Sequence, residues 1–422
     1  MPTASNSEIP PHIDPSRVFV FDLFMDERLK NDVHLGLKQL HRDAPDIFYT
    51  PLNGGHWMVT RHQMVSDILK DFEHFSNEEM DIPRMGNSYK MIPLNLDPPE
   101  HAPYRAILMR YFSPKVVKEM EGQLRAWAGE YIDEVLEDRS CDITTIGTAF
   151  PVQVFMRMMG LPLERFEEFR SIVVEYFGLA PVARRNEMRG WISDLMRDYY
   201  EQRSTDPRDD LITKLTQEEI NGGKLTMLEL QSIGFFLFVA GLDTVANAIA
   251  FCMLHLAKDP ELQAGLVADP GRIADFVEES LRRYSVVNGS RTVKQDFEYG
   301  GVLFRKGDMV CLSNPCAGMD ERINPDPMKF DIDRTGRRHT AFSVGPHLCV
   351  GHYLARAEMR IFVDEWLKRV PSFRLVPGSA PVHRAGKVMS VKHVDVEWDS
   401  TPAEAVAAAL ARPPVGSWHG KL

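Results

Sequence analysis

Cysteine is scarce and unpaired in this chain: Cys141, Cys252, Cys311, Cys316 and Cys349 are an odd number, without C-x-x-C spacing, among 422 residues. A disulfide scaffold is excluded, and the thiols are free for other chemistry. Positive charge is not in excess either, since 49 Lys and Arg face 60 Asp and Glu for a net charge of −11. A general nucleic-acid binder needs a basic surface to displace counterions, so that class is disfavoured and any basic patch must be local. No basic segment followed by an apolar run opens the sequence. No secretory signal is therefore expected, and a reducing cytoplasm is the expected compartment. The most apolar stretch, 233–242, is broken by Asp243 and Asn247, well short of the ~18 uninterrupted residues of a membrane span, so no membrane anchor is expected. Repeats, low-complexity blocks and Gly/Ser linkers are absent. One large domain over 18–400 is expected, between an extended proline-bearing arm (1–17) and a tail (401–422).

What is present is a folded composition, 44% hydrophobic and 26% charged. Residues 115–138, 163–203, 227–257, 260–284 and 351–370 carry apolar positions three and four apart, which predicts a mainly α architecture. Thr226 with Glu229 three residues on is a capping box at the head of the most apolar helix, which should end near Asp259-Pro260 and run through the core. Small β-sheets are predicted at 48–60, where Asn53-Gly54-Gly55 separates two short strands, at 297–312 and at 373–398.

One segment carries chemistry: Phe342-Ser343-Val344-Gly345-Pro346-His347-Leu348-Cys349-Val350-Gly351. Gly345 permits a tight turn, and Gly351 lets the chain leave the cysteine directly into a helix, so that backbone N–H groups point at sulfur and favour thiolate. A lone cysteine is ordinarily an inert packing residue. A chance F-x-x-G-x-x-x-C-x-G pattern, however, has a probability of roughly one in a thousand in a chain of this composition.

This loop resembles the proximal loop of the cytochrome P450 family of haem-thiolate monooxygenases. The resemblance implies the helical P450 fold, haem b as cofactor, Cys349 as the axial iron ligand, and Phe342, His347 and Gly351 around the haem. Further motifs agree. Glu279-x-x-Arg282 with Arg334 matches the family's structural ion-pair set, and Ala240-Gly241-Leu242-Asp243-Thr244 matches its distal motif. There Thr244 would organise and Asp243 feed the delivery of protons to dioxygen, while Gly241 leaves room for oxygen and lets the helix open. The segment from Asp97 to Arg105 resembles the family's propionate-binding stretch, so that His101 and Arg105, with Arg291 and His347, would bind the two haem carboxylates.

The run from Gly241 onward is similar to the camphor-hydroxylating bacterial subfamily. That likeness implies a compact terpenoid substrate, most simply camphor, oriented by Tyr89 and walled by Phe236, Val239, Val287 and Val388. Lys90, Met91, Phe236 and Gly289 depart from the subfamily pattern, which leaves ionones, cineole and other small rings open as substrates. A haem-thiolate sensor and a peroxide-driven enzyme are rivals that the Asp243-Thr244 pair disfavours. No dinucleotide fingerprint is present, so electrons should come from a [2Fe-2S] ferredoxin and its flavoprotein reductase, docking at a basic face for which Arg110, Lys115, Arg337, Arg338 and Arg356 are candidates.

Overall fold

A computed structural model of the chain describes residues 7–86, 90–178 and 180–399. The predicted α-rich architecture is present. The helix Pro114–Asp133 starts where expected because Ser113 caps it and Pro114 occupies its first turn, where a missing N–H costs nothing. The helix His352–Arg369 packs against it over most of its length. Three predicted helical stretches are divided, the most apolar of them at Leu242 and Asp243. Residues 260–284 form Pro260–Ala268 and Ile273–Arg283, because Asp269 precedes Pro270 and is held at φ −134°, ψ 84°, outside the helical region. Residues 163–203 form Phe166–Phe177 and Val182–Thr205, separated around Gly178 and Pro181. Outside the five bounded stretches, helices also form at Val33–Asp43, His62–Lys70, His101–Tyr111 and Ile143–Met159.

The most apolar helix begins with both bonds of its capping box: Glu229 N–H donates to Thr226 Oγ1 at 3.3 Å and Thr226 N–H to Glu229 Oε2 at 2.7 Å. It is not one rod. Met227–Gly241 and Thr244–Leu256 are separate helices joined at Leu242 and Asp243. By length and composition Met227–Leu256 would suffice to cross a membrane, but 72% of its most apolar window is buried inside the protein. It is a core element here.

The hairpin Ile47–Thr50/His56–Val59 forms as predicted, with positive φ at Asn53, Gly54 and Gly55. It extends into a five-stranded sheet in which Met309–Ser313 runs parallel to His56–Val59 and antiparallel to Asn288–Val293, with Phe75–Ser76 at the far edge. Met309–Ser313 therefore leaves the predicted 297–312 hairpin, which is only Phe297–Tyr299/Val302–Phe304. In the late β region, the turn of the hairpin Val382–Arg384/Ser390–Lys392 is bound to the neighbouring strand. Asn288 N–H donates to Lys387 O at 2.9 Å, and Met389 N–H to Val286 O at 2.7 Å. Where described, the N-terminal arm folds back: Ser7 N–H bonds Pro51 O at 3.0 Å and His12 Nε2 lies 3.2 Å from Asp308.

Candidate active site

The cysteine loop is shaped by its backbone. Ser343 and Gly345 both have positive φ, and a Cβ on Gly345 would stand 3.1 Å from Lys70 Cα and 3.2 Å from Leu69 O, so the loop passes hard against the helix His62–Lys70. Cys349 N–H closes the loop on Phe342 O at 2.8 Å. Three residues after Cys349 the helix His352–Arg369 begins. Burial pushes the Cys349 thiol up, while the Gly351 N–H, Arg105 and Arg356 pull it down. The sequence reading of a setting that favours thiolate is thus only partly matched: the stabilising groups are there, but burial outweighs them until a cation binds sulfur. The other four cysteines are pushed up to about 12, with burial as the largest cause. They are inert packing thiols by comparison.

Four basic side chains converge on the same cavity as Cys349. His101 and Arg105 lie one turn apart on His101–Tyr111. Arg291 stands on Asn288–Val293, whose alternation points 289 and 291 one way. His347 comes from the cysteine loop, with its ring centroid 4.3 Å from that of His101. Burial lowers Arg105, and it holds Arg291 at about 10, His101 at about 4 and His347 at about 2. Among the described residues none of the four forms an ion pair, and His347 Nε2 has no partner. The nearest acid, Asp97, is engaged by the Asn77 N–H at 2.9 Å and by Lys294 at 3.4 Å. A buried guanidinium, Arg291, and a half-buried one, Arg105, without counter-charge are expensive, so this corner is built for a bound anion.

Opposite the cysteine loop, the helix break presents Thr244 to the cavity. Its hydroxyl donates to Ala240 O at 3.1 Å, replacing a backbone bond that the break removes. Asp243 is buried but does not line the cavity. Asn247 holds it, with Nδ2 donating to Asp243 Oδ2 at 2.8 Å and to Asp243 O at 2.9 Å. Burial raises its carboxyl to about 6, against the pull of Asn247, Arg170 and Lys392. Gly241 has a reason that spacing could not reveal: a Cβ there would lie 2.4 Å from the Phe155 ring, so the glycine is demanded by packing between two helices.

Phe236, Val239, Val287 and Val388 all line the cavity, and Val287 and Val388 face each other in a β-bridge. Tyr89 lies outside the described residues. Sequence reasoning passed over Asn247, Glu358 and Lys387. Asn247 was signalled by its place four residues after Asp243 in an apolar helix, and Lys387 by its place directly before Val388. Glu358 lines the cavity from the cysteine helix, with a carboxyl that burial raises far above its ordinary range.

Behind the cysteine loop, Arg282 grips Glu279 with Nε at 2.8 Å and Nη2 at 2.6 Å, and Arg334 Nε reaches the same carboxylate at 3.2 Å. Arg282 Nη1 also binds Gly318 O at 2.8 Å and Pro327 O at 2.9 Å, tying three segments together. Two docking candidates have partners within the protein. Arg337 is half-buried, 3.2 Å from Asp275 and 3.7 Å from Glu279. Arg356 pairs with Glu278 and lies 4.5 Å over the Phe342 ring. Arg110 pairs with Glu218, while Lys115 and Arg338 are exposed.

The sequence profile of the cytochrome P450 family matches residues 180–269 and 273–393. A probable cytochrome P450 127A1 of Sinorhizobium fredii is 35% identical over 92% of this chain and 97% of its own length. The crystal structures of CYP101J2 and CYP101C1 superpose with TM-scores of 0.85, at 34% and 31% identity, over 93% of this chain and 100% of theirs. Fold and sequence together place the molecule among the haem-dependent monooxygenases. The chain belongs to the cytochrome P450 family, whose members use haem b. The residues present fit that group: the unpaired basic quartet suits its two carboxylates, and a Cβ at Gly351 would meet no atom within 4 Å, leaving that side of the cavity open.

Proposed function

We propose that this cytochrome P450 hydroxylates an unactivated C–H bond of a compact cyclic terpenoid, with camphor the first compound to test and ionones and cineole the nearest alternatives. The observation that carries this reading is a single cavity in which Thr244 and Cys349 meet an apolar wall of Phe236, Val239, Val287 and Val388. Residues 18–400 act as one haem domain. Cys349 supplies the thiolate ligand, and His101, Arg105, Arg291 and His347 hold the haem carboxylates. When bound, thiolate-ligated haem supplies the cleavage of dioxygen, because electron density pushed from sulfur favours breaking the O–O bond.

The chain itself must then deliver protons into an otherwise dry cavity. Asp243, held by Asn247 and titrating at about 6, exchanges a proton near neutrality on the side facing Arg170 and Lys392. Thr244 presents its hydroxyl on the cavity side of the same break. Electrons come from a [2Fe-2S] ferredoxin reduced by a flavoprotein, docking where Lys115 and Arg338 remain exposed and Arg110 is held only by a surface pair. Titrating the holoenzyme with camphor, ionones and cineole tests the substrate class. At least one should shift the haem spin state and yield a hydroxylated product with ferredoxin and reductase present; a panel without any shift removes these neutral terpenoids as substrates.

A further inference from the structure

Outside the basic quartet, one cation lines the cavity among the described residues. Lys387 stands directly before Val388 on the turn of the hairpin Val382–Arg384/Ser390–Lys392. Its ammonium has three donors. One reaches Met80 O at 3.2 Å, and a second faces Asp81 Oδ1 at 3.4 Å. The third has no partner among the described residues.

Asp81 pairs with this lysine at 3.4 Å but is shared, so it offsets only part of the positive charge around it. Its other oxygen is bound by Arg189, which sits with Arg185 one turn apart on Val182–Thr205. Both arginines and Lys387 act on that one carboxylate. Arg185 is 7% exposed, and its Nε lacks a partner among the described residues. Arg189 Nε also donates to the hydroxyl of Tyr176 at 3.2 Å, and Tyr176 lines the cavity while remaining neutral. Three cations therefore surround one acid where the turn at 387, the segment at 80–86 and two helices meet. Arg185 and Arg189 are buried and Lys387 is half-buried; surplus positive charge in such a place is stabilised by an incoming anion, and a charge-assisted bond to a carboxylate is the strong kind.

We infer that the substrate is a carboxylic acid, an apolar ring skeleton whose carboxylate pairs with Lys387 Nζ while its hydrocarbon lies against Val287, Val388 and Phe236. This deepens the terpenoid reading and rests on it for the skeleton alone; the charge comes from Lys387 and its neighbours.

Acid and methyl-ester pairs built on two skeletons, a bicyclic terpenoid and a straight alkyl chain, test it on the holoenzyme by spin-state titration and by calorimetry. The acid should bind about tenfold or more tightly than its ester. Lys387→Met should remove that preference by weakening the acid alone, and Lys387→Arg should keep it. Equal binding of acid and ester on both skeletons overturns the inference, as does equal weakening of both by Lys387→Met. A preference for the terpenoid acid supports both readings. A preference shown only by the alkyl acid keeps the role of Lys387 and removes the terpenoid skeleton; no binding by any of the four overturns both.

Discussion

Thr244 Oγ1 donates to Ala240 O at 3.1 Å across the interruption of the apolar run Met227–Leu256. One hydroxyl thus serves two tasks, satisfying a carbonyl orphaned by the break and facing the cavity shared with Cys349. Thr244→Ala frees that carbonyl and takes the proton-bearing oxygen out of the cavity. Product formed per electron consumed should fall by about 10²-fold, the usual scale for losing a positioned proton donor, while the dissociation constant for substrate changes little. Side-by-side measurement of reductant consumption, product and binding separates the two effects; parallel loss of binding would count against a proton-handling role.

Gly241 sets two physical preferences against each other. Alanine favours a helix by roughly 1 kcal/mol over glycine, but the Cβ it brings would lie 2.4 Å from Phe155 Cδ2. Forcing a methyl into a packed contact costs about 1–3 kcal/mol, so the clash wins and Gly241→Ala should lower stability in urea titration. Adding Phe155→Leu, which withdraws the ring, should restore most of the loss. A stabilised single variant would show that the helices separate freely at this point.

Local chemistry was legible in the sequence wherever partners are close along the chain. The capping box of Thr226 and Glu229, the turn at Asn53 to Gly55 and the grip of Arg282 on Glu279 span three residues or fewer, and each forms as its spacing implies. The break after Gly241 is half visible in sequence: the glycine marks where the helix can open, while Asn247 stands out only as a polar interruption and not as the amide that holds Asp243. Longer relationships were hidden. Arg337 looked free because Asp275 lies 62 residues away, and the meeting of Lys387 with Asp81 spans 306. The reason for Gly241 is a ring on a helix whose internal proline and all-round burial blurred its periodicity.

Asp243 makes a signed prediction about pH. Burial raises its carboxyl from 3.8 to about 6, so between those values the folded chain keeps a proton that the unfolded chain has released. Its contribution to stability is fully present below about pH 4 and is lost as pH rises through about 6. An uncharged amide in place of this carboxyl would not carry the slope. At pH 7.5 Asp243→Asn should be more stable than the parent by about 2–3 kcal/mol, and at pH 4 the difference should vanish. Turnover should move the opposite way at neutral pH, since the amide cannot exchange the proton. Urea titrations of both proteins across this range check the first half and product assays the second.

Arg291 separates the needs of the cofactor from those of the fold. It is 4% exposed, its side chain bonds only to Ser290 O among the described residues, and burial depresses it to about 10. In the haem-free chain that guanidinium is a buried charge without a partner, so Arg291→Met should raise the stability of the apoprotein by on the order of 1 kcal/mol or more. In the role proposed for it in the loaded protein, the same change would strip a haem carboxylate of a charge-assisted donor worth about 1.5–3 kcal/mol, and haem should leave roughly 10- to 100-fold more readily. Urea midpoints of the two apoproteins and haem transfer to an apomyoglobin acceptor read the two signs independently. Destabilisation of both forms would mean that Arg291 is a strand residue first. Opposite signs would mean that the chain tolerates an unfavourable charge in its core because the cofactor neutralises it.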